Sequence, residues 1–143
     1  MQRDAELRIE REGLFSRLVS AFTRKDYDAL QKAMTPDVVL ELPGSSPLAS
    51  THRGHEEIGR YLTSLGQVLR SSERPINFIH EGNRMQATHG VMVHGPRHAV
   101  ETSLVITVTF DEEGRAATIL VRPDDPLLFD DVINSALGDS EAS

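Results

Sequence analysis

Residues 21–61 decide the fold, and they read AFTRKDYDALQKAMTPDVVLELPGSSPLASTHRGHEEIGRY. In this stretch a short helix, capped by Asp26 and ended by Pro36, leads into an apolar strand over 38–42. A loop rich in proline, glycine and serine follows, and Gly54 introduces another helix. The order helix, strand, loop, helix therefore fixes how the rest of the chain is interpreted.

Helical periodicity predicts three N-terminal helices, the first over 4–24. Apolar residues that recur every three to four positions mark the buried face of each helix. In the first helix they are Leu7, Leu14, Leu18 and Phe22; in the second, Leu30, Ala33 and Met34; in the third, Ile58, Tyr61, Leu62, Leu65 and Leu69.

From Arg74 the pattern changes to a period of two residues, which predicts strands. The strands are expected over 74–81, 84–94, 98–110 and 115–122, with turns between them that contain glycine. Asp125 as N-cap and Pro126 at the first helical position predict a closing helix over 126–137. The sequence thus predicts one α+β domain over 1–143, with a core of about 4–137, in which helices pack on a curved antiparallel sheet.

Composition excludes several classes of function. The net charge is −7 and no basic stripe is present, which argues against a nucleic-acid partner. Apolar runs are too short to span a membrane, and the charged N-terminus lacks the apolar core of a secretory signal. The absence of cysteine fits a cytoplasmic protein. No phosphate-binding glycine motif occurs, and we expect no cofactor.

Strand alternation indicates which side chains face the helices. Even positions of 98–110, odd positions of 84–94, and residues Ile119 and Val121 form the more apolar set. His89 and Thr102 are the polar exceptions on this inner face, and Tyr61 is a third from the helices. A mostly apolar pocket with a few convergent polar groups is the usual form of a small-molecule site.

The segments AFTRKDYDAL, the strand 38–42, the loop PGSSPLASTHRGHEEI and the turn FDEEGRAATILV resemble the nuclear transport factor 2-like superfamily over about residues 12 to 135. This superfamily includes ketosteroid isomerase and SnoaL-like polyketide cyclases, and the resemblance implies a cone-shaped fold around a deep apolar pocket. The isomerase's base, tyrosine and oxyanion-hole aspartate correspond to Leu42, Leu18 and Ile106. Hydrocarbon side chains cannot transfer protons, so the resemblance does not imply standard ketosteroid isomerase activity.

Two functions remain open. The first is an isomerase, cyclase or dehydratase that acts by proton transfer on an apolar carbonyl compound, with His89 as acid or base and Tyr61 as orienting group. The second is a non-catalytic module that binds an apolar ligand, or a dimerising accessory domain, in which His89 is a core histidine bonded to Thr102 or Tyr61. The predicted ligand-binding residues are Leu18, Phe22, Met34, Leu42, Leu62, Val91, Thr102, Leu104, Ile106, Ile119 and Val121.

Three further patterns have less specific interpretations. His52 and His55 have a spacing that metal sites use, but no third ligand is evident and we expect no metal. Asp124 and Asp125, either of which can pair with Arg122, form an alternative constellation at the pocket mouth. The outer face of strand 98–110, which carries Glu101, Ser103, Val105, Thr107 and Thr109, is expected to pair with a second copy in a homodimer.

Overall fold

The computed structural model describes residues 2–43, 50–71, 76–94 and 99–125, together with residues 127, 128, 131 and 133. Over these ranges the chain forms three helices and seven strands. The helices are α1 (Gln2–Arg24), α2 (Tyr27–Lys32) and α3 (Gly54–Leu65). The strands are β1 (Met34–Leu42), β2 (Ser50–Arg53), β3 (Leu69–Ser71), β4 (Asn77–Glu81), β5 (Arg84–His94), β6 (Ala99–Phe110) and β7 (Ala116–Pro123). The predicted α+β class is confirmed.

One sheet contains all seven strands, in the order β2-β1-β7-β6-β5-β3, with β4 also paired to β5. The long antiparallel pair of β5 and β6 runs from Arg84 opposite Thr109 to His94 opposite Ala99. β1 pairs with β7 in the parallel direction, so the sheet is mixed where the sequence had indicated antiparallel pairs alone. This parallel pair brings the N-terminal strand beside the last strand and curls the sheet around the helices.

The second helix is shorter than its sequence suggested. Asp26 caps it as predicted, since its Oδ1 accepts a hydrogen bond from the backbone N–H of Ala29 at 3.2 Å. The helix ends at Lys32 and not at Pro36, because β1 already begins at Met34. Pro36 has no N–H to give to a ladder, and it lies where the register with β7 shifts between Met34 and Val39.

Two short strands were not predicted. β2 occupies part of the segment interpreted as a loop and pairs antiparallel with β1, so that Leu42 faces Ser50 and Leu40 faces His52. Leu69 was assigned to the third helix, but α3 ends at Leu65 and Leu69 opens β3.

The predicted alternation is confirmed in the three long strands. Odd residues of β5 and even residues of β6 are the more buried sets, and Ile119 and Val121 of β7 are buried. The Leu128 N–H donates to Oδ1 of Asp125 at 3.1 Å, as expected for an N-cap, and residues 127, 128, 131 and 133 are helical. The rest of the expected closing helix lies outside the described residues. Among the helices in the described ranges, none has the length and apolar character of a bilayer span.

Candidate functional site

A cavity of about 120 Å³ lies between the helices and the concave face of the sheet. Its wall is hydrocarbon except at Tyr61, Arg70 and His89. The apolar wall residues are Phe15, Leu18, Val19, Phe22, Leu30, Met34, Leu40, Leu42, Leu62, Leu65, Leu69, Val91, Leu104, Ile106, Val108, Ile119 and Val121. The aliphatic and aromatic lining makes the cavity suited to an apolar ligand.

The three positions at which the sequence resemblance implied the isomerase's catalytic residues all border this cavity. Leu18, Leu42 and Ile106 contribute hydrocarbon to its wall. Glu41, next to Leu42, is exposed on the other side of β1, as strand alternation requires. At these three positions the cavity wall therefore carries no group that can transfer a proton.

His89 is the buried imidazole of the cavity. It lies in the middle of β5 opposite Leu104, and only 7% of its surface is exposed. The His89 ring and the Phe15 ring pack edge to face, with their centroids 6.2 Å apart. Burial lowers the pKa of His89 below its ordinary value, so the ring is neutral at neutral pH. Burial is the cause of this shift, and among the described residues no hydrogen bond contributes to it.

Tyr61 enters the cavity wall from α3. Burial raises its pKa to about 12, an effect that a hydrogen bond with the Ser50 side chain partly offsets. Its phenol is therefore protonated across the physiological range. The Tyr61 ring stacks on the imidazole of His52, with centroids 4.4 Å apart and planes 29° apart. Tyr61 thus joins the interior cavity to a group of polar residues on β2.

That polar group continues outward from Ser50. Ser50 Oγ lies 2.7 Å from Nε2 of His52, and Nδ1 of His52 lies 3.7 Å from Oε1 of Glu57. The His52 side chain is 25% exposed and that of Glu57 is 51% exposed. Sequence reasoning missed this arrangement because Ser50 and His52 were not recognised as alternate residues of one strand.

The cavity reaches toward the surface between α1, α3 and β3. Arg70 borders it and is exposed, while Phe22 and Leu62 border it and are half-buried. The C-terminal end of α3 approaches the same point, because a Cβ at Gly66 would lie 3.7 Å from Cζ of Phe22. We assign the mouth of the cavity to Phe22, Leu62 and Arg70.

The structure brings most of the predicted ligand-binding residues into one wall. Thr102 is the exception: it is buried on the same face of β6, but that strand borders the cavity only at Leu104, Ile106 and Val108. The two groups with predicted chemistry, His89 and Tyr61, both line the cavity. Their roles toward a ligand stay predictions.

The other candidate groups are directed elsewhere. Nε2 of His55 lies 3.2 Å from the carbonyl oxygen of Met34, whereas His52 is directed to Ser50, so the two rings do not converge. Arg122 and Asp124 are exposed and do not border the cavity. The alternative constellation at the end of β7 is therefore separate from the pocket.

The domain model described as the SnoaL-like domain matches residues 15–119, which include α2, α3 and six of the seven strands in full. The chain belongs to the SnoaL-like domain family. Among curated proteins, no sequence match is found. The family assignment agrees with the nuclear transport factor 2-like fold that the sequence motifs indicated.

Solved structures share the fold at low sequence identity. An NTF2-like protein from Burkholderia xenovorans LB400 is 23% identical, with a TM-score of 0.76 over 87% of this chain and 96% of that one. TerC, co-crystallized with polyporic acid, is 22% identical, with a TM-score of 0.75 over 88% of this chain and 99% of that one. A proposed polyketide cyclase from Xanthomonas campestris pv. campestris is 16% identical, with a TM-score of 0.70 over 89% and 98% of the two chains. These similarities show that the chain shares the fold of these proteins.

Proposed function

We propose that this SnoaL-like protein binds a small apolar carbonyl compound in its cavity and catalyses proton transfer at the carbon beside the carbonyl. His89 is the base that removes the proton. Tyr61 is the hydrogen-bond donor to the carbonyl oxygen. The products are the enol or a shifted double bond, which is isomerase- or cyclase-type chemistry.

The observation that carries this proposal is the state of His89. Its ring is neutral because burial lowers its pKa, and among the described residues no hydrogen bond contributes to that shift. A neutral imidazole can accept a proton, and the His89 ring borders the cavity in which a ligand would bind. A structural histidine at the same depth would be expected to hydrogen-bond within the protein.

Tyr61 has the complementary property. Because its pKa is raised to about 12, it keeps its proton at the pH at which His89 is a free base. A donor placed in a low-dielectric cavity stabilises charge that develops on a carbonyl oxygen more strongly than water does. One base and one donor in the same wall are the minimum set for enolisation.

Cavity size limits the ligand. At about 120 Å³ the space is close to the apolar cavities of about 150 Å³ that admit benzene. We therefore expect a compound of about one ring, or a larger one whose remainder passes the mouth at Phe22, Leu62 and Arg70. The crystallisation of TerC with polyporic acid makes that compound a second probe.

Acetophenone is a suitable first probe, because its methyl protons exchange with solvent only through the enol. In D₂O, ¹H NMR should show faster loss of its methyl signal with protein than without. His89→Leu should abolish this acceleration, and Thr102→Val, at a buried position outside the cavity wall, should leave it unchanged. Wild-type rates in His89→Leu would contradict the assignment of the base.

A binding protein without catalysis is the second candidate. It is favoured by the hydrocarbon at Leu18, Leu42 and Ile106, and by the pKa of His89, to which no carboxylate of the described residues contributes. Toluene, which lacks the carbonyl, separates the two. If toluene and acetophenone both raise the melting temperature and no exchange occurs, the protein is a binding module.

A further inference from the structure

The polar residues on β2 and α3 form a continuous chain between the cavity and solvent. Tyr61 lines the cavity and hydrogen-bonds to Ser50, which is 2.7 Å from His52 Nε2. The other ring nitrogen of His52 faces Glu57 at 3.7 Å. A surface groove lined by His52, Glu57, Arg60, Tyr61 and Ser64 opens at the outer end.

We propose that Ser50, His52 and Glu57 form a proton relay that connects the Tyr61 hydroxyl to bulk water. This inference rests on the proposed function, since it names how the donor of that site recovers its proton. It goes further in assigning a role to three residues outside the cavity wall.

Each member has the chemistry that a relay needs. The Tyr61 and Ser50 hydroxyls each both donate and accept one proton, and imidazole accepts at one nitrogen while it donates at the other. The Glu57 carboxylate lies 3.7 Å from Nδ1, so the second ring nitrogen of His52 is directed away from Ser50 and toward Glu57. Because Glu57 is half exposed, the outer end of the chain is in contact with water.

Each proton moves one step along this chain. His52 gives its Nε2 proton to Ser50 Oγ, Ser50 gives its hydroxyl proton to the Tyr61 oxygen, and Tyr61 gives its own to the substrate oxygen. At the outer end, His52 takes a proton from bulk solvent at Nδ1, the nitrogen that faces Glu57. One proton has moved from solvent to substrate, and Tyr61 has carried no net charge, which its raised pKa would oppose.

The relay lies directly beside two cavity-lining leucines of β1. Ser50 is the cross-strand partner of Leu42, and His52 is the partner of Leu40, and both leucines line the cavity. Directly opposed residues of an antiparallel pair project to the same face. The neighbouring strand therefore presents polar groups at the end of the cavity where β1 presents hydrocarbon.

The first test uses exchange at the acetophenone methyl group. Ser50→Ala removes one oxygen, and His52→Phe keeps an aromatic ring stacked on Tyr61 but removes both nitrogens. Each should slow exchange by about 10- to 100-fold, within the range that acid–base groups contribute. Thr51→Ala, on the exposed face of the same strand, is the matched control and should exchange at the wild-type rate.

Chemical rescue separates a relay from a structural role. In His52→Ala, added imidazole should restore exchange in proportion to its concentration, because a free base can then exchange protons with Ser50. Imidazole should not restore Ser50→Ala, in which the hydroxyl that links the ring to Tyr61 is missing. Failure of imidazole to restore His52→Ala would overturn the relay.

A second measurement needs no activity. The chain has two tyrosines, so in Tyr27→Phe the fluorinated analogue 3,5-difluorotyrosine reports on position 61 alone in ¹⁹F NMR. The charged or titratable groups that face it are His52 on β2, Glu57 and Arg60 on α3, His89 on β5 and Arg70 on β3. Both Ser50→Ala and His52→Phe should shift its titration, and an unchanged titration in His52→Phe would overturn the relay. If the wild type shows no exchange but both substitutions still shift the ¹⁹F titration, only the proposed function is overturned.

Discussion

Replacement of Leu42 by alanine tests whether the cavity is a ligand site whose size depends on its wall. Leu42 is 1% exposed and borders the cavity, so truncation removes three buried carbons and enlarges the space beyond 120 Å³. The three carbons account for about 2.4 kcal/mol of transfer free energy at about 0.8 kcal/mol each. The added void contributes about another 1 kcal/mol, for a total loss of about 3 to 4 kcal/mol in unfolding free energy.

The matched control is Ile58→Ala, which also removes three carbons from a side chain that is 0% exposed but does not border the cavity. It should lose at least as much stability in urea unfolding, because Ile58 is packed on all sides. Only Leu42→Ala should gain affinity for a larger apolar ligand: naphthalene at 100 times its Kd would restore about 2.7 kcal/mol. If naphthalene stabilises Ile58→Ala as well as Leu42→Ala, or neither variant, Leu42 does not limit the size of a ligand site.

Three other predictions follow from burial, backbone and surface. Burial lowers the pKa of His89, so below about pH 6.5 the unfolded chain binds a proton that the folded chain does not bind. The unfolding free energy therefore decreases as the pH is lowered, by up to about 1.4 kcal/mol per pH unit. Urea unfolding of His89→Leu at pH 7 and pH 5 should show a smaller decline, and parallel declines would contradict a buried neutral ring. Gly114 has φ +81°, and Gly114→Ala should lose about 1 to 2 kcal/mol in the same assay, while Gly59→Ala within α3 should gain up to about 1 kcal/mol; the reverse order would refute this backbone argument. Light scattering at micromolar concentration should give twice the mass of 15.8 kDa, and Val105→Lys on the outer sheet face should halve it; a monomeric wild type would exclude the homodimer.

The long elements could be predicted because their patterns are local. β5 and β6 alternate between a buried and an exposed face over eleven and twelve residues, which placed His89 inward without knowledge of the partner strands. Helix α3 likewise has Ile58, Tyr61 and Leu65 on one buried face. For these segments the residues that bury apolar surface are the ones that periodicity selects.

The polar part of the site could not be predicted, because its geometry depends on pairing between distant residues. β2 has four residues, none of them apolar, so only its ladder with β1 makes it a strand. When β2 is not recognised, His52 is interpreted as part of the junction between a loop and α3, and its contact with Ser50 is not apparent. The position of β1 beside β7 is likewise set by residues about 80 positions apart, which no local pattern encodes.

The parallel pairing of β1 with β7 also has a consequence for biosynthesis. On the ribosome, β1 leaves the exit tunnel long before residues 116–123 are translated, so the ladder between β1 and β7 cannot form until late. A nascent chain arrested before Ala116 leaves one edge of β1 unpaired, together with Val38 and Leu40, and this edge can pair with a strand of another chain. We expect slow refolding, dominated by this distant contact, and dependence on chaperones during synthesis.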